Sequence, residues 1–150
     1  MANEITLKEP NRKLKITPYE HRTRYHELDA QGTVHPSHYI DWMENARMNL
    51  MEQIGFGYKQ MEGMEIMMPM ISISVDYRSP VKFDDTVVVD TKLISYDGNQ
   101  IEVAYRIFDK KTGEDHAVAR SKHFFMNKSG IPISLKRIYP ELDTKFFEMK

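Results

Sequence analysis

Residues 37–54 read SHYIDWMENARMNLMEQI, and this stretch decides the fold because it predicts one long amphipathic helix. Pro36 suits the first helical position, Ser37 is an acceptable cap beside it, and Gly55 suits the position just past the end. Apolar side chains recur at the three- and four-residue spacing of one helix face, at Tyr39, Met43, Ala46, Leu50 and Ile54.

The chain after this helix predicts antiparallel strands. Apolar and polar side chains alternate over residues 71–77, 87–93, 101–107 and 117–126, which is the period of a strand. Before the helix, residues 19–28 (YEHRTRYHEL) predict a shorter strand. A strand, a helix and about four further strands in a meander indicate an α+β fold, in which a curled antiparallel sheet of about five strands wraps one central helix.

Composition narrows the class of protein. The chain has 150 residues with 21 Lys+Arg against 22 Asp+Glu, so it lacks the basic excess of a nucleic-acid binder. It has no cysteine, which excludes disulfides, thiolate metal sites and a cysteine nucleophile. Without a membrane-spanning stretch or a secretory signal, a cytoplasmic protein is expected. We expect an arm over 1–18, one domain over 19–132 and a tail over 133–150 packed on or beside it.

Methionine is concentrated in one part of the chain. Eleven residues are methionine, and eight of them lie between residues 43 and 70, at Met43, Met48, Met51, Met61, Met64, Met67, Met68 and Met70. Methionine fills irregular gaps in cores, and it also lines adaptable apolar pockets. The sequence leaves both readings open.

Residues 24–47, RYHELDAQGTVHPSHYIDWMENAR, resemble the hotdog-fold acyl-CoA thioesterases of the 4-hydroxybenzoyl-CoA thioesterase type. The matching positions are Arg24, Tyr25, Glu27, Asp29, Gly32, Val34, Tyr39, Glu44, Ala46 and Arg47. A second match, in the stretch that links two later strands, comprises Tyr77, Pro80, Asp84, Asp85, Val87, Val89 and Thr91. The resemblance implies a hotdog fold, a homodimer or homotetramer, and hydrolysis of an acyl thioester carried on coenzyme A or on acyl carrier protein.

Asp29 is the catalytic residue that the resemblance implies. Thioester hydrolysis needs a group that attacks the carbonyl carbon or deprotonates water, together with donors for the developing oxyanion. An aspartate just before a helix can lie beside the positive end of the helix dipole. Whether Asp29 acts as nucleophile or as base stays open, and an ordinary Asp in a turn is the alternative reading.

Substrate-binding positions follow from the same motif, and they are Gly32, Val34, His35, Ser37, His38 and Tyr39. The oxyanion donor is expected among the backbone N–H groups at the helix start. Pro36 has no N–H to offer, so Ser37 or His38 is expected to supply it. Glu44 is a reserve catalytic candidate, and its spacing from Arg47 also suits an ion pair along the helix.

Neither a metal nor a cofactor is expected. His35 and His38 form a pair that lacks further ligands beyond Asp29 and Asp41. No glycine-rich phosphate loop occurs, and the candidate contacts for coenzyme A phosphates are Arg78, Lys82, Arg120 and Lys122. The alternatives to an acyl-CoA thioesterase are an acyl-carrier-protein thioesterase and a hotdog protein that binds acyl thioesters without turnover.

Overall fold

The predicted helix is present as α1, Pro36–Gln53. In the computed structural model, which describes residues 16–150, His35 is the N-cap residue and its ring accepts a hydrogen bond from the Ser37 backbone N–H. The cap therefore lies two residues earlier than the predicted Ser37. Gly55 has a φ of +90°, the left-handed conformation that ends helices. The prediction of a helix is confirmed, and the expected arm falls largely outside the described residues.

Five strands form one antiparallel sheet in the order β1-β4-β5-β6-β3. The strands are β1 (Tyr19–Arg22), β3 (Met70–Tyr77), β4 (Thr86–Tyr96), β5 (Gln100–Asp109) and β6 (Asp115–Phe124). A separate two-stranded sheet pairs β2 (Ile66–Met67) with β7 (Met126–Asn127). The α+β prediction, with a sheet of about five strands, is confirmed.

Two details of the predicted strands were wrong. The strand expected over 19–28 ends at Arg22, and Tyr25–Glu27 is a single 3₁₀ turn. The expected four-strand meander includes only β4, β5 and β6, because β3 pairs with β6 at the far edge. A tight turn from β3 to β4 does not form because residues 78–85 cross the end of the sheet. There the carbonyls of Val81 and Asp85 accept hydrogen bonds from the backbone N–H groups of Val34 and Thr23, respectively.

Short helices complete the fold: α2 (Tyr58–Gly63), α3 (Leu135–Ile138) and α4 (Pro140–Met149). None of them was predicted, since α2 and α3 span less than two turns and α4 lies in the expected tail. Leu135, Leu142 and Phe146 are fully buried in the main hydrophobic cluster, so residues 133–150 contribute to the same core as the sheet.

The core lies between α1 and one face of the sheet. Trp42, Met43 and Ala46 of the helix are almost completely buried, as are Val89 and Ile107 of the central strands. Fully burying one such side chain contributes roughly 1.5–3 kcal/mol, so this contact fixes the helix, and with it the loop before the helix, against the sheet. No helix within residues 16–150 is long and apolar enough to cross a membrane.

Candidate active site

The loop that carries Asp29 is a tight, internally bonded turn. Leu28 and Val34 form a β-bridge at its base, and the Asp29 backbone N–H donates to the Thr33 carbonyl at 2.8 Å. Gly32 has a φ of +82°, a conformation that glycine adopts without strain. The turn therefore fixes the backbone of Asp29 directly ahead of α1.

One oxygen of the Asp29 carboxylate is held by the loop. Its Oδ1 accepts from the backbone N–H groups of Gln31 at 2.9 Å and Thr33 at 3.2 Å, while the Thr33 hydroxyl lies 3.3 Å from Oδ2. Partial burial alone would raise the pKa of Asp29, but these hydrogen bonds and the nearby His35 outweigh it and lower the pKa below its usual value. Asp29 is therefore an ionised carboxylate at neutral pH, with Oδ2 the less constrained oxygen.

The start of α1 offers fewer free backbone donors than expected. Pro36 has no N–H, the Ser37 N–H donates to His35 Nδ1 at 3.2 Å, and the His38 N–H donates to the His35 carbonyl at 3.0 Å. Both amides predicted as oxyanion donors are thus engaged in capping the helix.

Three imidazoles lie together at this helix end. The ring centroid of His38 is 6.0 Å from that of His26 and 6.4 Å from that of His35. His38 Nδ1 also lies 3.2 Å from Asp41 Oδ2. His26 was missed by the sequence analysis, because it stands in the 3₁₀ turn, nine residues before His35, and no spacing rule links the two.

Glu27 is the second residue that the sequence analysis left without a role. It is 4% exposed, and its carboxylate accepts hydrogen bonds from His21 Nε2, Trp42 Nε1 and the Arg24 backbone N–H at 2.8–2.9 Å. Burial would raise its pKa, but these three donors together lower it. Its backbone carbonyl accepts from the His35 N–H at 3.0 Å, so Glu27 joins β1, the helix and the Asp29 loop.

Two tyrosines connect the helix start to the sheet edge. The Tyr77 hydroxyl donates to the Pro36 carbonyl at 2.9 Å, and the Tyr39 and Tyr77 rings meet edge to face at 5.0 Å. Burial raises the pKa of both hydroxyls, so both stay protonated donors at neutral pH. The last residue of β3 therefore positions the first turn of α1.

The remaining predicted site residues differ in accessibility. Gly32, His35 and Ser37 are exposed, while Val34 and Tyr39 are buried in the core. Glu44 is exposed on α1. The expected Glu44–Arg47 ion pair is absent, because the Arg47 side chain turns inward and donates to the Tyr105 hydroxyl at 3.1 Å.

Cationic candidates for coenzyme A occupy two places. Lys82 forms a β-bridge with Thr33, beside the Asp29 loop, and it is exposed. Arg120 and Lys122 lie on the exposed face of β6, where Arg120 is 3.7 Å from Glu102. Of these side chains, Lys82 is the one that the fold places beside the candidate catalytic loop.

One group of side chains has the geometry to hold a metal ion. Within residues 16–150, the liganding atoms of Asp85, Asp109 and His116 lie within 4.8 Å of one another. His116 Nε2 is 3.9 Å from Asp109 Oδ2. The His35–His38 pair does not belong to this group.

The methionine-rich segment lines a cavity of about 380 Å³ between α1, α2 and β2. Five of its lining residues are methionines, namely Met48, Met51, Met61, Met67 and Met68. Met43, by contrast, is fully buried core. The methionines therefore serve in both of the ways that the sequence left open.

Comparison with known proteins agrees with this architecture. The model of the thioesterase-like superfamily matches residues 23–146. The chain is 30% identical over 138 residues to the Bacillus subtilis protein named "Putative acyl-CoA thioesterase YneP", covering 91% of this chain and 99% of that one. It is 24% identical over 86 residues to the acyl-CoA thioester hydrolase YbgC of Escherichia coli O6:H1, covering 57% of this chain and 64% of that one.

A solved structure shows the same fold. The DHNA-CoA thioesterase of Staphylococcus aureus superposes with a TM-score of 0.83 at 26% identity, covering 88% of this chain and 89% of that one. The family match spans the Asp29 loop, α1 and strands β2 to β7. The chain therefore belongs to the thioesterase-like superfamily, whose members are thioester hydrolases with the hotdog fold.

Proposed function

We propose that the protein hydrolyses acyl-CoA thioesters and that Asp29 is its catalytic carboxylate. The observation that carries the proposal is the Asp29 loop, which holds Oδ1 by two backbone N–H groups and leaves Oδ2 with only a hydroxyl contact at 3.3 Å. Such a carboxylate is ionised and oriented before the substrate arrives, which lowers the cost of reaching the reactive geometry.

In the reaction, Oδ2 attacks the thioester carbonyl carbon or removes a proton from an attacking water. The carbon–sulfur bond then breaks, coenzyme A leaves as a thiol after protonation, and the free acid remains. If an Asp29 anhydride forms, water hydrolyses it and restores the carboxylate. The lowered pKa of Asp29 keeps the carboxylate ionised for either step.

Side chains at the helix start supply the oxyanion donors in this proposal. Because Pro36 lacks an N–H and the Ser37 and His38 amides have partners, we assign this role to the imidazoles of His35 and His38. Rotation of the His35 ring also frees the Ser37 N–H for the substrate. Donors of this kind stabilise the negative charge that develops on the carbonyl oxygen.

A homodimer formed through β3 fits the sheet. Within the described residues, β3 is paired on one side only, and over its eight residues it carries a single charge, at Asp76. The opposite edge, β1, is short and carries charged Glu20 and Arg22, which discourage edge pairing. We expect β3 to pair with β3 of a second copy around a two-fold axis.

In light scattering, Ile71→Lys should dissociate this dimer, whereas Ile94→Lys in β4 should not. A monomeric wild-type protein would contradict the expectation.

The function is tested with a panel of acyl-CoA thioesters. We expect turnover by the wild type and a loss of at least about 100-fold in kcat for Asp29→Asn, since the amide oxygen can still accept the two loop hydrogen bonds and preserve the fold. Asp90→Asn, an exposed position on β4, is the matched control. Equal rates for wild type and Asp29→Asn would exclude the role proposed for Asp29.

A second candidate function is acyl-thioester binding without turnover. It is favoured by the engaged amides at the helix start, which leave no preformed backbone oxyanion site at Ser37 or His38. Tight binding of an acyl-CoA without release of free thiol would support it. Matched acyl groups on acyl carrier protein, included in the same panel, distinguish the two carriers.

A further inference from the structure

Arg47 is a buried cation that has no carboxylate partner within residues 16–150. It is 9% exposed, its Nη1 donates to the Tyr105 hydroxyl, and its Nε is buried with no hydrogen-bond partner. Among residues 16–150, no acidic side chain forms a salt bridge with it. An unpaired buried charge is strongly unfavourable, so its retention needs an explanation.

The groups bonded to Arg47 do not neutralise it. The Tyr105 hydroxyl lies 2.7 Å from Ser121 Oγ, which lies 2.8 Å from His123 Nε2. Burial, and then the positive charge of Arg47, lower the pKa of His123 to about 4. Arg47 is a donor only, so the hydrogen bonds run from Arg47 to Tyr105, Ser121 and finally a neutral His123. This four-residue network thus carries one net positive charge.

The charge lies beside the methionine-lined cavity described above. Arg47, Met51 and Met61 are buried lining residues at its inner wall, whereas Tyr58 and Lys128 are exposed and mark its mouth. The volume of about 380 Å³ lies within the range of small-ligand sites. The mouth also carries Glu62, which is exposed on α2.

We propose that this cavity binds an apolar acid, with the hydrocarbon against the methionines and the carboxylate on the guanidinium of Arg47. A carboxylate supplies the negative charge that Arg47 lacks, and hydrogen bonds between a guanidinium and a carboxylate are strong because both groups are charged. Flexible methionine side chains adapt to the shape of the hydrocarbon. The proposal does not depend on catalysis by Asp29.

The carboxylate has two possible sources. It is either that of a free fatty or aromatic acid, or the far end of an acyl group that carries a second carboxylate. Both present the same chemistry to Arg47, an apolar body with an anionic end, and they differ in whether that molecule is also a thioester substrate.

Binding is measured by calorimetry with octanoate and, as its neutral match, 1-octanol. We expect octanoate to bind the wild type at least about 10-fold more tightly than octanol. Arg47→Met should weaken octanoate binding by at least about 30-fold and leave octanol binding nearly unchanged. Arg47→Lys should retain part of the preference, and Arg137→Met, an exposed position on α3, should retain all of it.

Several outcomes would overturn the proposal. They are equal affinity of the wild type for octanoate and octanol, no octanoate binding at millimolar concentration, and unchanged octanoate binding by Arg47→Met. Because Arg47→Met removes an unpaired buried charge, we expect it to fold. Should it not fold, Arg47→Lys and the octanoate–octanol comparison in the wild type decide the question alone.

Hydrolysis distinguishes the two sources. If the carboxylate arrives on a substrate, Arg47→Met lowers kcat/KM for the octanedioyl thioester of coenzyme A and leaves that for the octanoyl thioester unchanged. If both thioesters are unaffected while octanoate binding depends on Arg47, the occupant is a free acid. The calorimetry does not require turnover, so failure of the proposed enzyme activity leaves the binding test intact.

Discussion

The indole Nε1 of Trp42 donates a hydrogen bond of 2.9 Å to Oε2 of Glu27, 15 residues earlier in the chain, and both side chains are buried. His21 donates to the same carboxylate from β1. Glu27 also presents its backbone carbonyl to the N–H of His35, the residue that caps α1. A single buried carboxylate thus sets the position of the central helix relative to the Asp29 loop.

Replacing Glu27 with glutamine should destabilise the protein by about 2–4 kcal/mol. The amide has one acceptor oxygen where the carboxylate has two, so the donors from His21, Trp42 and Arg24 cannot all be satisfied. Chemical unfolding in urea measures the loss, and Glu20→Gln, an exposed position on β1, should change stability by less than about 1 kcal/mol. A stability equal to that of the wild type would show that the carboxylate is not needed to hold the helix.

His123 predicts a loss of stability in mild acid. Its pKa is lowered from 6.5 to about 4 by burial and by Arg47, so below about pH 6.5 the unfolded chain binds a proton that the folded chain does not. His123 therefore leaves the free energy of unfolding almost unchanged above pH 6.5 and lowers it as the pH falls towards 4. Between pH 7 and pH 5 this loss of stability is about 2 kcal/mol.

Unfolding curves at pH 7 and pH 5 test this prediction. His123→Gln should lose less stability over that interval than the wild type, whereas His26→Gln, which is exposed, should behave as the wild type does. The same loss in all three proteins would assign the acid sensitivity to other groups.

Tyr96 should be needed to dock the C-terminal helix α4. Its hydroxyl donates to Oδ1 of Asp143 at 2.5 Å, and both residues are buried. Tyr96→Phe leaves the Asp143 carboxylate without this donor, and we expect a loss of about 2–3 kcal/mol. Thermal unfolding measures it, with Tyr58→Phe, an exposed position, as the control. If the Tyr96→Phe variant is as stable as the wild type, the packing of Phe146 alone holds the helix.

The fold prediction rests on local patterns in the sequence. The helix over 37–54 and the alternating strands can be recognised because the spacing of their apolar residues depends only on neighbours in the chain. The pairing of β3 with β6 depends instead on where residues 78–85 cross, and that path is fixed by Val34 and Thr23, far away in sequence. No periodicity reports such a contact.

The candidate site shows the same difference between residues that a local motif reveals and residues whose place depends on distant contacts. The sequence singles out Asp29, Gly32 and His35 because they belong to one continuous motif. The burial of Arg47 and the proximity of His26 to His38 require the folded chain, since each depends on which face of a helix or turn meets another element. Arg47 shows the difference well, because its spacing from Glu44 suggests a surface ion pair, while the structure turns it towards Tyr105.

The hydroxyl of Thr33 should help to keep Asp29 ionised. It contacts the Asp29 carboxylate at 3.3–3.4 Å beside the two backbone donors, and together these hydrogen bonds lower the pKa of Asp29. Thr33→Val removes the hydroxyl and leaves the backbone, so the pKa of Asp29 should rise towards its ordinary value. In the proposed function the Asp29 carboxylate is the active form, so hydrolysis should then be lost at a higher pH as the solution is acidified.

An NMR titration of the Asp29 carboxyl carbon measures this change directly, without relying on turnover. Thr91→Val, a half-buried position on β4, is the matched control and should leave the titration of Asp29 unchanged. If Thr33→Val also leaves it unchanged, the backbone N–H groups of Gln31 and Thr33, together with His35, determine the charge of Asp29 without the hydroxyl. In that case the acid limb of activity should respond to changes in the turn conformation, such as Gly32→Ala, because alanine is strained at the φ of +82° that Gly32 adopts.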